Sequence, residues 1–316
     1  MAEFTRYIAE EIALDHADGM FGRREAMRRL GLLGLSATVA SSVLAACSTD
    51  SSDAGAPSSS ASSSGGSSGG SGAATTTSSG SPDAPGASGA VATRMITFPG
   101  QRGELQGAYA AAANPRGVVL VIHENKGLTP HIASIAGRLA GAGYSALAVD
   151  LLSEEGGTST FDDTARATAA LGTISNDRFV SDEKSAIAEL QRRVPGKKVG
   201  VIGFCFGGGQ VWSLLASGAP QVSAAIPLYG PLPQAHDFAG SRDAAVLAVY
   251  AGLDNRVNAS RGEAEASLKA AGLTYEVLTV PNVDHAFFND TGGRYDQAAA
   301  SQVWGRALGW FGQHLA

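Results

Sequence analysis

The sequence predicts an α/β fold in which a mostly parallel, doubly wound sheet is flanked by helices. Short blocks of continuous apolar residues recur from residue 118 onward, as expected for strands that are buried on both faces. Segments with a helical spacing of apolar residues alternate with these blocks. One block also runs into a glycine-rich turn and an apolar helical stretch. This alternation indicates right-handed strand–helix–strand units within one sheet.

The individual elements follow from these patterns. Residues 94–99 and 104–112 alternate in polarity around Gly100-Gln101-Arg102-Gly103, which predicts an opening antiparallel hairpin. The buried strands are predicted at residues 118–122, 146–149, 199–202, 224–228 and 246–250, with a less uniformly apolar last strand at 275–280. Helices are predicted around residues 132–139, 187–194, 211–215 and 303–311. Sites in such sheets lie at the carboxyl ends of the strands, so polar residues there are the candidate functional residues.

Cys205 follows the predicted strand at residues 199–202, in the motif Gly203-Phe204-Cys205-Phe206-Gly207. Glycines on both sides of a central residue are typical of a nucleophile elbow, a sharp turn that holds the nucleophile in a strained backbone conformation. The elbow usually carries serine, and a cysteine can take its place because the thiolate is a strong nucleophile. An ordinary buried core cysteine is the alternative.

Three further polar residues stand at the ends of predicted strands, namely Glu124, Asp254 and His285. The order of nucleophile, acid and histidine along the chain is that of the α/β-hydrolases. We therefore predict that Cys205 is the catalytic nucleophile, that His285 accepts its proton, and that Asp254 orients the imidazole. Asp284 is a weaker candidate for the acid, because neighbours in an extended loop usually point apart.

Other site residues follow from the same placement. The backbone N–H groups of Phe206, in the elbow, and Asn125, in the loop after the first buried strand, are expected to bind the oxyanion. Tyr229, Phe287 and Phe288 are predicted to line an apolar acyl pocket, with packing in the core as the alternative. The histidines show no ligand spacing with one another or with acids, so we predict neither a metal nor a cofactor.

Together, the motif around Cys205, the loop at Glu124, Gly252-Leu253-Asp254 and Asp284-His285-Ala286-Phe287 resemble the dienelactone hydrolase family, whose members are cysteine hydrolases of the α/β-hydrolase fold. The resemblance covers roughly residues 95–315. It implies hydrolysis of a lactone or carboxylic ester through a thioester intermediate, as in carboxymethylenebutenolidase. It also implies that Glu124 hydrogen-bonds the resting thiol and takes its proton when substrate binds, which makes Glu124 a fourth catalytic residue.

The chain departs from this family in the residues expected to hold a substrate carboxylate. The resemblance implies two arginines, one of them a turn past the catalytic histidine, where this chain has Asn289. Arg294 lies further along the chain, and Arg166 and Arg178 stand in the region from which the other arginine could come, although an arginine there is more often a solvated helix residue. The identity of the substrate therefore does not carry over. A non-catalytic surface lipoprotein that binds a ligand on the same fold is the alternative function.

The N-terminus predicts export. Residues 1–46 are expected to be a signal segment outside the fold, with a twin-arginine cluster that begins at Arg23-Arg24 and a short apolar stretch at residues 30–44. Leu44-Ala45-Ala46-Cys47 resembles a lipobox, which implies cleavage before Cys47 and attachment of a diacylglyceryl group to its sulfur. An internal helix or an uncleaved anchor is the alternative. Residues 47–90, rich in Ser, Gly and Ala, predict a flexible tether, and residues 91–316 form the hydrolase domain.

Charge and composition restrict the partners. The formal net charge is −6 and no basic block lies outside the N-terminus, so nucleic acid is not expected as a partner. Lipidation of Cys47 would leave Cys205 as the remaining free thiol of the two cysteines. We expect a monomer that acts on a small lactone or ester and is anchored through Cys47 to a membrane of the cell envelope, in the periplasm or on its outer face.

Overall fold

An eight-stranded sheet forms the centre of the structure, a computed structural model that describes residues 3–47 and 81–316. Its strands are β1 (Arg94–Pro99), β2 (Glu104–Ala110), β3 (Gly117–Ile122), β4 (Tyr144–Val149), β5 (Val199–Phe204), β6 (Val222–Leu228), β7 (Ala245–Ala251) and β8 (Tyr275–Val280). They lie in the order β1-β2-β4-β3-β5-β6-β7-β8. Each strand corresponds to one that the sequence predicts.

Strand pairing confirms the predicted hairpin and the mostly parallel sheet. β2 pairs antiparallel with both β1 and β4. Every pair from β4 across to β8 is parallel. β3, β4, β5 and β7 are buried along their whole length, which explains their continuously apolar sequences. β8 lies at the edge and is only half-buried, in accord with its mixed sequence.

Helices flank this sheet, and the predicted fold class is confirmed. They are α1 (Glu3–Ala17), α2 (Arg23–Leu32), α3 (Ala37–Cys47), α4 (Pro130–Gly141), α5 (Thr164–Leu171), α6 (Asn176–Arg193), α7 (Phe206–Ala216), α8 (Asn255–Asn258), α9 (Arg261–Ala270) and α10 (Gln297–His314). Local sequence explains where several of them begin. The Thr129 side chain accepts a hydrogen bond from the N–H of Ile132 and Pro130 is the first residue of α4, which is a typical helix start.

The three N-terminal helices pack against the rest of the structure, which corrects the expectation that residues 1–46 lie outside the fold. Ile8, Ile12, Leu30 and Leu44 are buried, because the apolar faces of α1 to α3 meet one another and the domain built on the sheet. Export by this segment remains a prediction. Within the described residues, none of the helices combines the length and the apolar character that crossing a membrane requires.

Most of the predicted tether, residues 48–80, lies outside the described residues. Its last part, residues 81–90, is described and contacts the domain, so the boundary predicted at residue 91 falls too late. Ala84 is buried, a Cβ on Gly86 would lie 2.8 Å from the Trp304 ring, and the N–H of Val91 donates to the Gly137 carbonyl at 2.9 Å. Residues 81–90 are therefore part of the packed domain.

Candidate active site

Cys205 lies at the turn between β5 and α7 with φ 57° and ψ −118°, a backbone conformation that is strained for a residue with a side chain. The turn needs glycine on both sides. A Cβ on Gly203 would lie 2.1 Å from the Gly207 carbonyl oxygen, and a Cβ on Gly207 would lie 2.3 Å from that of Ile122. The N–H of Cys205 donates to the Leu228 carbonyl at 3.1 Å. The predicted elbow is present, and it brings the thiol to the carboxyl edge of the sheet.

His285 and Asp254 form a buried pair at the same edge. Nδ1 of His285 is 2.5 Å from Oδ2 of Asp254, whose other oxygen accepts the N–H of Val257 at 3.1 Å. Burial raises the pKa of Asp254, but the hydrogen bond from His285 and the charges of His285 and Arg256 outweigh it, so that the net shift is downward. Asp254 is therefore ionised. Asp284 accepts the backbone N–H of His285 at 2.6 Å, so its carboxylate is bonded to the main chain of the loop.

Glu124 lies in the same small cavity as Cys205, and its contacts differ from those that the resemblance implies. Its Oε2 accepts a hydrogen bond from Nδ2 of Asn289 at 2.6 Å. Asn289 occupies the position where the resemblance implies an arginine, so this chain uses that position to hold Glu124. The carbonyl of Asn125 accepts from the Thr168 hydroxyl at 2.8 Å, which fixes the loop that carries the second predicted oxyanion donor.

Helix α1 reaches the thiol of Cys205. The hydroxyl of Tyr7 is 3.2 Å from Sγ, and the two carboxylate oxygens of Glu11 are 3.3 and 3.6 Å from it. One Glu11 oxygen is also 3.5 Å from Nε2 of His285, and the other is 3.3 Å from Nη2 of Arg256. In the described part of the chain, the thiol of Cys205 thus hydrogen-bonds to Tyr7 and Glu11, where the resemblance implies Glu124.

Burial and neighbouring charges shift the proton equilibria of these groups. Burial raises the pKa of the Cys205 thiol and Glu11 raises it further, against the opposing charge of His285. Burial would lower the pKa of His285, but Glu11, Cys205 and Asp254 together raise it well above its ordinary value. Burial would likewise raise the pKa of Glu11, yet His285 and Arg256 bring it below its usual range. With α1 in place, the site therefore favours a neutral thiol, an imidazolium and an ionised Glu11.

Among the described residues, Glu11, Cys205 and His285 form the group that could hold a metal ion. One donor atom from each of Glu11, Cys205 and His285 lies within 4.8 Å of the other two. Carboxylate, thiolate and imidazole are all zinc ligands. However, the guanidinium of Arg256 contacts the Glu11 carboxylate, and its positive charge opposes a second cation at that point. The charge of Arg256 therefore weighs against a metal ion at these three side chains.

The aromatic residues that were candidates for an acyl pocket belong to the core. Tyr229 lies edge-on to the rings of His285 and Phe287, with centroid distances of 5.1 and 5.5 Å. Phe288 packs on Phe204 at 5.3 Å. All three candidates are buried, with at most 1% of their surface exposed. Tyr229 and Phe287 pack around the loop that carries His285, and a role of the three side chains in binding an acyl group stays a prediction.

A groove of about 340 Å³ lies along α7, next to the elbow. Tyr7, Val180, Phe206, Gln210 and Leu232 contribute to its walls. Oε1 of Gln210 is buried without a hydrogen-bond partner among the described residues, so it offers an acceptor to a ligand. The residues of this groove come from α1, α6, α7 and the loop after β6, and sequence spacing contains no signal that would group them.

The arginines near the site are paired with acids. Arg294 contacts Asp15 at 2.9 Å and also pairs with Asp18, just past the end of α1. Arg178 makes a two-pronged contact with Glu155, with both distances 2.7 Å. Arg166 is an exposed helix residue near Asp162.

Sequence reasoning missed Arg256. Its guanidinium contacts Glu11, and this contact places it beside the thiol. Arg256 stands two residues past Asp254, a spacing with no motif of its own.

Comparison with known proteins agrees with this geometry. The model of the dienelactone hydrolase family matches residues 105–315. A protein of Escherichia coli O157:H7, provisionally named a carboxymethylenebutenolidase, is 33% identical over 241 residues, which cover 71% of this chain and 88% of that protein. A protein of Yersinia pestis with the same provisional name is 33% identical over 234 residues, which cover 69% of this chain and 87% of the relative.

Solved structures give the same assignment. A provisionally named dienelactone hydrolase of Klebsiella pneumoniae superposes with a TM-score of 0.63 at 26% identity, covering 71% of this chain and 100% of that one. A dienelactone hydrolase-like promiscuous phosphotriesterase from metagenomic libraries also has a TM-score of 0.63, at 25% identity, covering 72% of this chain and 100% of the other. The match to the family model spans well over half of the sequence. This chain belongs to the dienelactone hydrolase family.

Proposed function

We propose that the protein hydrolyses a lactone or carboxylic ester through a thioester on Cys205. The observation that carries this proposal is the strained elbow of Cys205 beside the buried His285–Asp254 pair, joined at 2.5 Å. Membership of the dienelactone hydrolase family and the hydrolase names of the relatives support it. A core cysteine would need neither the positive φ nor an adjacent histidine held by a carboxylate.

In the proposed mechanism, His285 takes the thiol proton and Sγ of Cys205 attacks the carbonyl carbon, which forms a tetrahedral intermediate. Collapse of the intermediate breaks the bond to the ester oxygen, and His285 returns the proton to the departing alkoxide. His285 then removes a proton from water, which attacks the thioester and releases the acid and the thiol. Asp254 stabilises the imidazolium in both halves of the reaction.

The negative oxygen of each intermediate needs donors that are already in place. We assign this role to the N–H groups of Phe206, at the start of α7, and Asn125, in the loop held by Thr168. Glu124, which shares the cavity with Cys205, is proposed to take this same thiol proton first and to pass it to His285, so that a single proton reaches the departing alkoxide. Its hydrogen bond to Asn289 positions the carboxylate for that step.

The test uses the chain from Ser81 to Ala316, which retains the segment packed on α10. This part is expected to fold alone, because a solved relative is covered along its whole length by 71% of this chain. The substrates are p-nitrophenyl acetate, a neutral enol-lactone and dienelactone. Cys205→Ala should abolish turnover, Glu124→Gln should reduce it, and rapid quenching should show an acyl group on Cys205 by mass spectrometry.

The outcomes separate the two candidate functions. Loss of turnover in Cys205→Ala with a trapped acyl-enzyme in the unmodified domain supports the hydrolase. Turnover that survives Cys205→Ala would contradict the nucleophile. If the unmodified domain turns over no substrate while its thiol is alkylated readily, the ligand-binding alternative is favoured.

We also propose that the protein is exported by the twin-arginine route and anchored in the cell envelope through a lipid on Cys47. The arginines at 23 and 24 and the sequence that precedes Cys47 support this. In a bacterial host, the protein should appear in the membrane fraction without residues 1–46. Cys47→Ser should leave it outside that fraction, whereas an unchanged distribution would contradict the anchor.

A further inference from the structure

Helix α1 occupies the space that a substrate of the proposed hydrolase would need. A reacting carbonyl must come within about 3–3.5 Å of the attacking atom. The Tyr7 hydroxyl and the Glu11 carboxylate lie at 3.2 and 3.3 Å from Sγ of Cys205. Cys205 and His285 are only 1% and 4% exposed with the helix in place.

We propose that α1 is an inhibitor built into the chain, which docks its acidic face in the active-site cleft and keeps the enzyme latent until the segment before Cys47 is displaced or removed. The inference rests on the proposed function and adds regulation to the same site. The occupant of the cleft is thus a named part of this chain, Glu3–Ala17.

The contacts of α1 follow its helical period. Tyr7, Glu11 and Asp15 are each four residues apart and therefore lie on one face. The same face reaches two arginines of the domain. Arg256 contacts Glu11 at 3.3 Å and lies 4.3 Å from the centre of the Tyr7 ring, and Arg294 contacts Asp15 at 2.9 Å. Charge complementarity at two points and apolar burial of Ile8 and Ile12 hold the helix in one register.

The docked helix also opposes the chemistry of the site. A carboxylate beside the thiol disfavours the thiolate, and the same negative charge stabilises the imidazolium of His285. Cys205 therefore keeps its proton and His285 is not available as a base. Glu11 and Tyr7 block the carbonyl position and also hold the two reacting groups in the unreactive protonation states.

Helices α2 and α3 link α1 to the predicted cleavage site before Cys47. α1 packs on α2 and α3, and α2 is tied to the domain where Arg28 meets Asp163 at 2.6 Å. All three helices end at or before Cys47. Cleavage at the predicted lipobox would therefore remove the inhibitor together with the signal. Arg23 and Arg24 stay exposed on the folded chain, where a recognition partner can reach them.

The test compares variants of the full chain. Tyr7→Phe/Glu11→Gln removes the hydroxyl and the charge that face the thiol, while Glu10→Gln makes the same chemical change one residue away, at a partly exposed side chain paired with Arg6. We measure p-nitrophenyl acetate hydrolysis and the rate at which iodoacetamide alkylates Cys205, located by mass spectrometry. Loss of a hydrogen bond to a charged group should raise both rates about tenfold or more, and Glu10→Gln should leave them within about twofold.

Two further measurements decide whether α1 inhibits the enzyme. The chain from Ser81 should be more active than the full chain, and a synthetic peptide of residues 3–17 should inhibit it competitively, with a Glu11→Gln peptide inhibiting more weakly. Equal hydrolysis and equal alkylation of the full chain and the shorter chain would overturn the inference. Slower alkylation of the full chain when neither form hydrolyses any ester would uphold occlusion by α1 and count against the proposed function instead.

Discussion

At the residue scale, backbone strain marks the positions around the candidate catalytic residues. Cys205 has a positive φ of 57°, a conformation that costs of order 1–3 kcal/mol for a residue with a side chain. Ala286, directly after His285, has φ 63°, and Tyr229, against the His285 ring, has φ 36°. The sheet around β5 and the packed aromatic residues hold these conformations. Strain at Cys205 and directly after His285 indicates that the fold maintains the mutual geometry of the two residues.

The role of Asp254 can be tested by Asp254→Asn in the chain from Ser81. The amide keeps the shape but cannot stabilise the imidazolium, and it can favour the wrong tautomer of His285. The turnover number for p-nitrophenyl acetate should fall by about 10³–10⁴-fold, as is typical when the acid of such a triad is neutralised. The measurement is steady-state hydrolysis, with circular dichroism to verify the fold.

Asp284→Asn is the matched control, because this acid lies next to His285 in the chain but accepts its backbone N–H. We expect a loss of less than about tenfold, which corresponds to one hydrogen bond. Equal losses in the two variants would contradict the assignment of Asp254 as the orienting acid.

Sequence patterns predicted some site residues and missed others for a physical reason. Cys205, Asp254 and His285 follow buried strands, and parallel strands bring their carboxyl ends to one edge, so topology alone predicts their meeting. Glu11 is 194 residues from Cys205, and no strand-end rule connects them. Arg256, in the four-residue helix α8, has the sequence context of an ordinary surface cation until α1 is placed beside it.

At the element scale, burial explains what the sequence could predict. The buried strands and the helices α4, α6, α7 and α10 were predicted correctly because each contains a continuous apolar block or an apolar face. The docking of α1 was not predicted, because an apolar face shows that a helix packs but does not identify the surface on which it packs. For a similar reason, the sequence leaves two alternatives open for Phe287 and Phe288, because composition does not separate a pocket wall from a core.

The loop after His285 is tied to α4 by a buried ionic contact, which allows a stability test. Asp290 pairs with Arg138 at 2.6 Å and with His131, and all three side chains are at most 2% exposed. Asp290→Asn would leave the Arg138 guanidinium buried without its counter-charge. The free energy of unfolding in urea should fall by about 3 kcal/mol at pH 7. Asp162→Asn, at a side chain 79% exposed, is the control and should change it little.

The contacts of Asp290 also predict that the stability of the fold depends on pH. Burial would raise the pKa of Asp290, but its contacts with His131 and Arg138 outweigh this and lower the pKa to about 2. A depressed carboxyl pKa contributes stability that is present above the unfolded value, near pH 4, and is lost as the pH falls towards about 2. Unfolding curves between pH 5 and 2, stepped in about half-unit intervals, should show this loss in the unmodified domain. The Asn variant should lack it, and parallel curves for the two proteins would contradict the assignment.

At the scale of the whole molecule, the chain has two proposed forms that differ in the environment of the same cations. With α1 docked, Glu11 and Asp15 pair with Arg256 and Arg294. Without α1, both guanidinium groups lose these carboxylates and face the cleft beside Cys205. The cleft then has an excess of positive charge, which should favour substrates that carry a carboxylate.

Arg256→Met should therefore have opposite consequences in the two forms. In the full chain it removes the contacts with Glu11 and Tyr7, so α1 should dissociate more readily and hydrolysis of p-nitrophenyl acetate should increase. In the chain from Ser81 it should lower kcat/KM for the anionic ester mono-p-nitrophenyl succinate about tenfold relative to p-nitrophenyl acetate, as expected for one charge-assisted contact. Arg261→Met, at an exposed arginine that contacts Thr279, is the control in both chains. A loss of equal size for both esters in the shorter chain would show that Arg256 supports the structure of the site and does not select anions. If Arg256→Met raises hydrolysis by the full chain and changes neither ester's hydrolysis by the shorter chain, the positive charge of Arg256 holds α1 and has no part in binding substrate.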